Sequence, residues 1–150
     1  MKKLFGRTSS VDAEVIIDTG PIAAWLSRRD KHHEWAREQF AVLGPPLFTC
    51  EAVLSETAHL LVRAGGNGTE VVTLIRRGVF QIAFDLQAEA EPIERLMQRY
   101  RNTPMSLADA CLVRISELRP KSRIFTTDSD FRIYRRNGRQ VIPLLALPGI

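Results

Sequence analysis

The chain has 150 residues, 45% of them hydrophobic and 25% charged, enough to bury one sizeable core and too short for two ordinary domains. Net charge is +4 and the pI about 9.5, with 21 basic residues dominated by arginine, which suits a polyanionic partner. No stretch approaches the roughly 20 apolar residues of a membrane-spanning helix, and the two cysteines, Cys50 and Cys111, lack the spacing of a zinc site or disulfide framework, so the expectation is a soluble cytoplasmic protein.

Residues 1–13 read as a flexible lead-in: Lys2, Lys3 and Arg7 are not followed by the apolar core of a secretory signal. Glu14 to Ile17 predicts a short buried strand that runs into Asp18, Thr19, Gly20 and Pro21. A helix is expected from that point, with Thr19 as cap, Pro21 in its first turn and Ile22, Ala23, Trp25 and Leu26 as its apolar face. A second helix is expected over His33 to Leu43, then a break at Gly44, Pro45 and Pro46, a brief strand at Leu47 to Thr49, and a helix over Ala52 to Val62. The pattern continues with a helix at Thr69 to Arg77, a strand at Val79 to Phe84, and helices at Ala88 to Tyr100 and Ser106 to Leu118. Strands at Arg123 to Thr126 and Gln140 to Leu145 close the chain, with a short helix around Phe131 to Tyr134 between them. Alternating strands and helices imply an α/β fold with a mostly parallel sheet covered on both faces.

Chemistry in an open parallel sheet sits outside the carboxyl ends of the strands. Asp18 follows the first strand directly, and Asp128 follows the strand that ends at Thr126, with Asp130 two residues on. Glu56 and Asp109 come from helices and are flanked by Ala, Leu, Val and Cys. A carboxylate on a core-facing stretch is costly to desolvate without a compensating cation, and neither has a Lys or Arg within one helical turn. Oxygen ligands with little histidine or thiolate suit Mg2+ or Mn2+, which points to phosphodiester hydrolysis without a protein nucleophile. Local structural roles compete with this reading: Asp18 can simply end a strand, Ser106 to Asp109 matches a capping box, and Asp128 can cap the next short helix. Glu56 lies in mid-helix and caps nothing.

Four segments resemble the PIN domain family: Val15-Ile-Ile-Asp-Thr-Gly-Pro, Leu54-Ser-Glu-Thr, Ser106-Leu-Ala-Asp-Ala and Phe125-Thr-Thr-Asp-Ser-Asp-Phe. The resemblance spans Glu14 to Leu145 within a domain drawn at residues 14–150. It implies a Rossmann-like three-layer α/β/α sandwich, with Asp18, Glu56, Asp109 and Asp128 as catalytic and metal-binding acids and Thr126 and Asp130 as accessory residues. Stand-alone PIN proteins of this size are similar to the VapC toxins of toxin–antitoxin pairs, which implies a homodimeric, Mg2+- or Mn2+-dependent endoribonuclease with an RNA substrate and an antitoxin partner. The arginines near the C-terminal motif are then expected to hold RNA phosphates or an acidic antitoxin segment. A non-catalytic nucleic-acid-binding or scaffold protein of the same fold is the alternative. A phosphatase of related fold would usually carry a second aspartate two residues after the first, where this chain has Gly20.

Overall fold

The computed structural model describes residues 13–150, so all but Ala13 of the expected lead-in lies outside the described residues. Elements follow in the order β1 (Glu14–Ile17), α1 (Thr19–Leu26), α2 (His33–Val42), β2 (Leu47–Thr49), α3 (Glu51–Arg63), α4 (Thr69–Arg76), β3 (Phe80–Ile82), α5 (Ala90–Arg99), α6 (Leu107–Leu118) and β4 (Ser122–Thr126). A 3-10 turn (Ser129–Arg132) and three short strands, β5 (Arg135–Arg136), β6 (Gln140–Val141) and β7 (Leu144–Ala146), complete the chain. Alternation of strand and helix thus produces the expected α/β architecture.

The main sheet has five strands in the order β3-β2-β1-β4-β7, all parallel. β1 lies at its centre, so Ile16 and Ile17 are fully buried, as a strand covered on both faces requires. Successive strands step from β1 to β2 and β3 on one side, and the chain then returns to place β4 and β7 on the other. The ends of β1 and β4 therefore flank a switch point, where open α/β sheets bind their ligands. Register aligns Ile17 with Phe125, and the backbone N–H of Asp18 donates to Phe125 O at 3.0 Å, which carries the ladder one residue past β1. Helices flank the sheet: α1 packs on α2 and α3, and α5 packs on α6.

Two expectations at the chain's end are corrected. The single strand expected over Gln140 to Leu145 is two strands in two sheets. Pro143 lacks an N–H and breaks the run, while its carbonyl accepts from Ile124 N at 2.9 Å and leads into β7. β6 instead pairs antiparallel with β5, and Asn137 and Gly138, at φ 52° and 85°, turn the hairpin. Asn-Gly is a strong short-range hairpin signal. The expected short helix is a 3-10 turn that ends at Arg132.

Both tryptophans pack inward. Trp25 stacks on Phe40 with centroids 4.0 Å apart, and the edge of Trp35 meets the fully buried Phe125 at 5.4 Å. Phe125 thus holds α2 against the centre of the sheet, one residue before Thr126. Truncation of such a ring leaves a cavity as well as losing transfer energy. Phe125→Ala is expected to lower unfolding stability by about 3–5 kcal/mol in urea titrations; a loss below about 1 kcal/mol would show that β4 does not anchor the core.

Candidate active site

Asp18 ends β1 and caps α1. Its Oδ1 accepts from Thr19 N at 2.7 Å, so the cap is Asp18 and not the expected Thr19. Thr19 is instead buried, with its hydroxyl donating to Val53 O of α3 at 3.3 Å. Asp18 Oδ2 accepts from Thr126 Oγ1 at 2.7 Å. Thr126 Oγ1 in turn accepts from Asp128 N at 2.9 Å. One hydroxyl therefore bridges both acids that follow strand ends. Asp128 Oδ1 accepts from Asp130 N at 2.8 Å and caps the 3-10 turn.

Asp109 enters from α6. Ser106 caps the helix through Asp109 N at 3.0 Å, and Ser106 N donates back to Asp109 Oδ2 at 3.3 Å, which completes the capping box. The same Oδ2 accepts from the hydroxyl of Tyr134 at 3.0 Å. Glu56 lies on α3, and here the expectation of a core-facing carboxylate is corrected: Glu56 is exposed. The buried stripe of α3 is Val53, Leu54, Thr57 and Leu61, and the 3.6-residue period turns Glu56 about 100° away from Thr57. His59 is likewise exposed.

Asp109 and Asp128 lie near enough to repel both Asp18 and Glu56. Burial pushes Asp18 up from 3.8 to about 7, against the lowering effect of its bonds from Thr126 and Thr19, with repulsion from Asp109 and Asp128 adding to the rise. Desolvation raises Glu56, with further repulsion from Asp109 and Asp128. Asp109 is raised first by desolvation and also by Asp128, against its bonds from Ser106 and Tyr134. Burial and then Asp128 raise Asp130 as well. No ion pair among the described residues involves any of these acids. Asp109 Oδ1, Asp128 Oδ2 and both oxygens of Glu56 accept no hydrogen bond from the described residues. Crowded carboxylates with vacant lone pairs and no basic partner form an acceptor set for a hard cation.

Among the described residues, no three His, Cys, Asp or Glu side chains stand as a group that could by itself hold a metal ion. What suits a hard divalent ion is the chemistry of the donors, carboxylate oxygens without hydrogen-bond donors or basic partners, which Mg2+ binds together with waters and substrate phosphate. The donor set therefore fits such an ion.

Most of the C-terminal arginines also bond within the fold. Arg114 pairs with Glu89 at 2.6 Å and Glu117 at 3.0 Å. Arg119 pairs with Glu14 at 2.6 Å and lies 3.8 Å from the Phe48 ring centroid. Arg132, Arg135 and Arg136 donate to backbone carbonyls of Ile150, of the 132–134 segment, and of Ser116 and Pro120.

The family profile described as PIN domain matches residues 15–137. The chain belongs to the PIN domain family. The crystal structure of Mycobacterium tuberculosis VapC20, a Sarcin-Ricin loop cleaving toxin, is similar to it with a TM-score of 0.69 at 24% identity, covering 78% of this chain and 92% of that one. At that identity the likeness establishes a VapC-like PIN fold. The search of curated proteins returns no significant match.

Two parts of this PIN domain escape sequence reasoning. Tyr134 reaches Asp109 across 25 positions, a contact that no local pattern announces. Gly20 is the other: a Cβ there would overlap Thr127 Oγ1 and press on Thr127 Cβ, so a side chain at position 20 requires the Thr127 hydroxyl to rotate away and the turn after β4 to give by a few tenths of an ångström. Gly20→Ala is expected to displace Thr127 and lower thermal stability, whereas an unchanged melting temperature would show that the close approach is dispensable.

A carboxyl whose folded pKa lies above its unfolded value stabilises the fold in its protonated form. Without metal, the contribution of Asp18 is present below about pH 4 and lost as pH rises toward about 7, at a slope of at most about 1.4 kcal/mol per pH unit. In chelator the protein should melt higher at pH 5 than at pH 8, and Asp18→Asn or added Mg2+ should shrink the difference. An unchanged difference in Asp18→Asn would assign it to other groups.

Proposed function

We propose that this PIN domain is a divalent-metal-dependent endoribonuclease and the toxin of a type II toxin–antitoxin pair. The observation that carries this reading is the crowding of Asp18, Glu56, Asp109 and Asp128 at the sheet's switch point with no basic partner among the described residues. Family membership and the likeness to a structure named as a Sarcin-Ricin loop cleaving toxin support it.

In this reading Asp18, Glu56, Asp109 and Asp128 hold Mg2+ or Mn2+, while Thr126 and Asp130 support them. When bound, such an ion supplies charge stabilisation for the scissile phosphodiester and lowers the pKa of water. The chain's residues provide position and charge. Thr126 holds Asp18 and the backbone of Asp128, and Glu56 offers its carboxylate from the exposed rim of α3. Preorganised acids spare the site reorganisation when substrate arrives.

Three of the four acids also serve as caps, so local structure accounts for their positions. It does not account for Glu56, which caps nothing, or for the mutual repulsion that all four tolerate. Antitoxin binding, a homodimer and a cytoplasmic setting belong to the same proposal. Val62 and Val72, 60% and 64% exposed, are apolar positions for a partner to cover, and no described helix is long and apolar enough to cross a membrane.

The test is cleavage of a pool of structured RNAs by purified protein with Mg2+ or Mn2+, with chelator, and in two variants. Asp18→Asn should reduce metal-dependent cleavage by more than about 100-fold, beyond the range usual for outer-shell changes. Glu56→Gln is the sharper variant: an exposed residue without a cap should change stability by no more than about 0.5 kcal/mol while cleavage is lost. Full activity in both variants would sink the four-acid reading, and RNA binding without cleavage under every metal condition would favour the non-catalytic alternative.

A further inference from the structure

Asp109 presents its two carboxylate oxygens unequally. Oδ2 accepts from Ser106 N at 3.3 Å and from Tyr134 Oη at 3.0 Å, while Oδ1 has no donor among the described residues. Tyr134 is fully buried, and its ring is held edge-on by Tyr100 at 5.2 Å and Phe131 at 5.3 Å. The ring that donates to Asp109 therefore has little freedom to turn away.

Tyr134 also lies just past the 3-10 turn that Asp128 caps. One side chain thus joins the segment that carries Asp128 to the helix that carries Asp109. These two acids come from successive elements and repel each other. A hydroxyl that donates to one oxygen of a carboxylate fixes its rotation and leaves the other oxygen for a cation, as outer-shell donors do around metal sites.

The geometry points to Tyr134 as a positioning residue of the metal site, which occupies Asp109 Oδ2 so that Oδ1 faces the cation and the spacing between Asp109 and Asp128 is kept. This inference rests on the metal-dependent reading above and adds a residue outside the acidic set. A hydroxyl that served the fold alone would affect stability without affecting metal affinity. Tyr100 supplies the matching control, since it lies in the same aromatic cluster and its hydroxyl bonds a backbone N–H instead of an acid.

The experiment measures Mn2+ binding to wild type, Tyr134→Phe and Tyr100→Phe by electron paramagnetic resonance of free Mn2+, with RNA cleavage titrated against Mn2+ in parallel. Tyr134→Phe is expected to raise the Mn2+ dissociation constant about 10–100-fold, with most of kcat recovered at saturating Mn2+, while Tyr100→Phe binds as wild type does. Equal Mn2+ affinity in wild type and Tyr134→Phe overturns the inference and leaves the metal reading standing. No Mn2+ binding by wild type overturns the metal reading itself, and this inference with it. Should Tyr134→Phe fail to fold, the wild type provides the test: its buried hydroxyl proton is expected to give a slowly exchanging NMR resonance that shifts at saturating Mg2+, and an unmoved resonance overturns the inference.

Discussion

The hydroxyl of Thr126 donates to Asp18 and accepts from the backbone of Asp128, so a single oxygen at the end of β4 sets the distance between two acids that would otherwise separate. This bond works only because β1 and β4 are parallel neighbours in a register that brings residue 18 level with residue 126. That register depends on the apolar centre, where Ile16, Ile17, Ile124 and Phe125 are completely buried. The repulsive cluster is thus tied to the fully buried central strands. Local relaxation of the site would require the central strands to part.

Asp18, Asp109 and Asp128 each satisfy backbone N–H groups at the start of a helix or turn while holding their remaining charge toward one another. A helix start tolerates a carboxylate well, because its exposed N–H groups and dipole favour negative charge. Placing acids at three such starts lets the fold absorb part of the repulsion that the site requires. Glu56 has no such support and sits where water can reach it.

The sheet, its helices and the acidic positions were legible because they rest on local signals: buried β-branched runs, helix periodicity, and acids placed at strand ends. The burial of Glu56 was misjudged because its apolar sequence neighbours, Leu54 and Ala58, do not share its side of the helix. The cap of α1 went to Asp18 because its carboxylate reaches Thr19 N directly, which left Thr19 free to bond α3. The close approach of Gly20 to Thr127 and the reach of Tyr134 to Asp109 were illegible, since each depends on segments joined only by the completed fold. The final hairpin was legible in principle from Asn137, Gly138 and Pro143, but their signals were overridden by the apolar run Val141 to Leu145.

The internal commitment of the arginines bears on how this protein would meet a polyanion. Ionic-strength dependence grows with the number of phosphates that Lys and Arg neutralise, and Arg114 and Arg119 are already balanced by Glu89, Glu117 and Glu14. On the toxin reading, association with RNA would therefore depend less steeply on ionic strength than the count of arginines near the C-terminal motif suggests. Discrimination between RNAs then falls more heavily on the contour of a folded loop against the acidic rim than on long-range attraction.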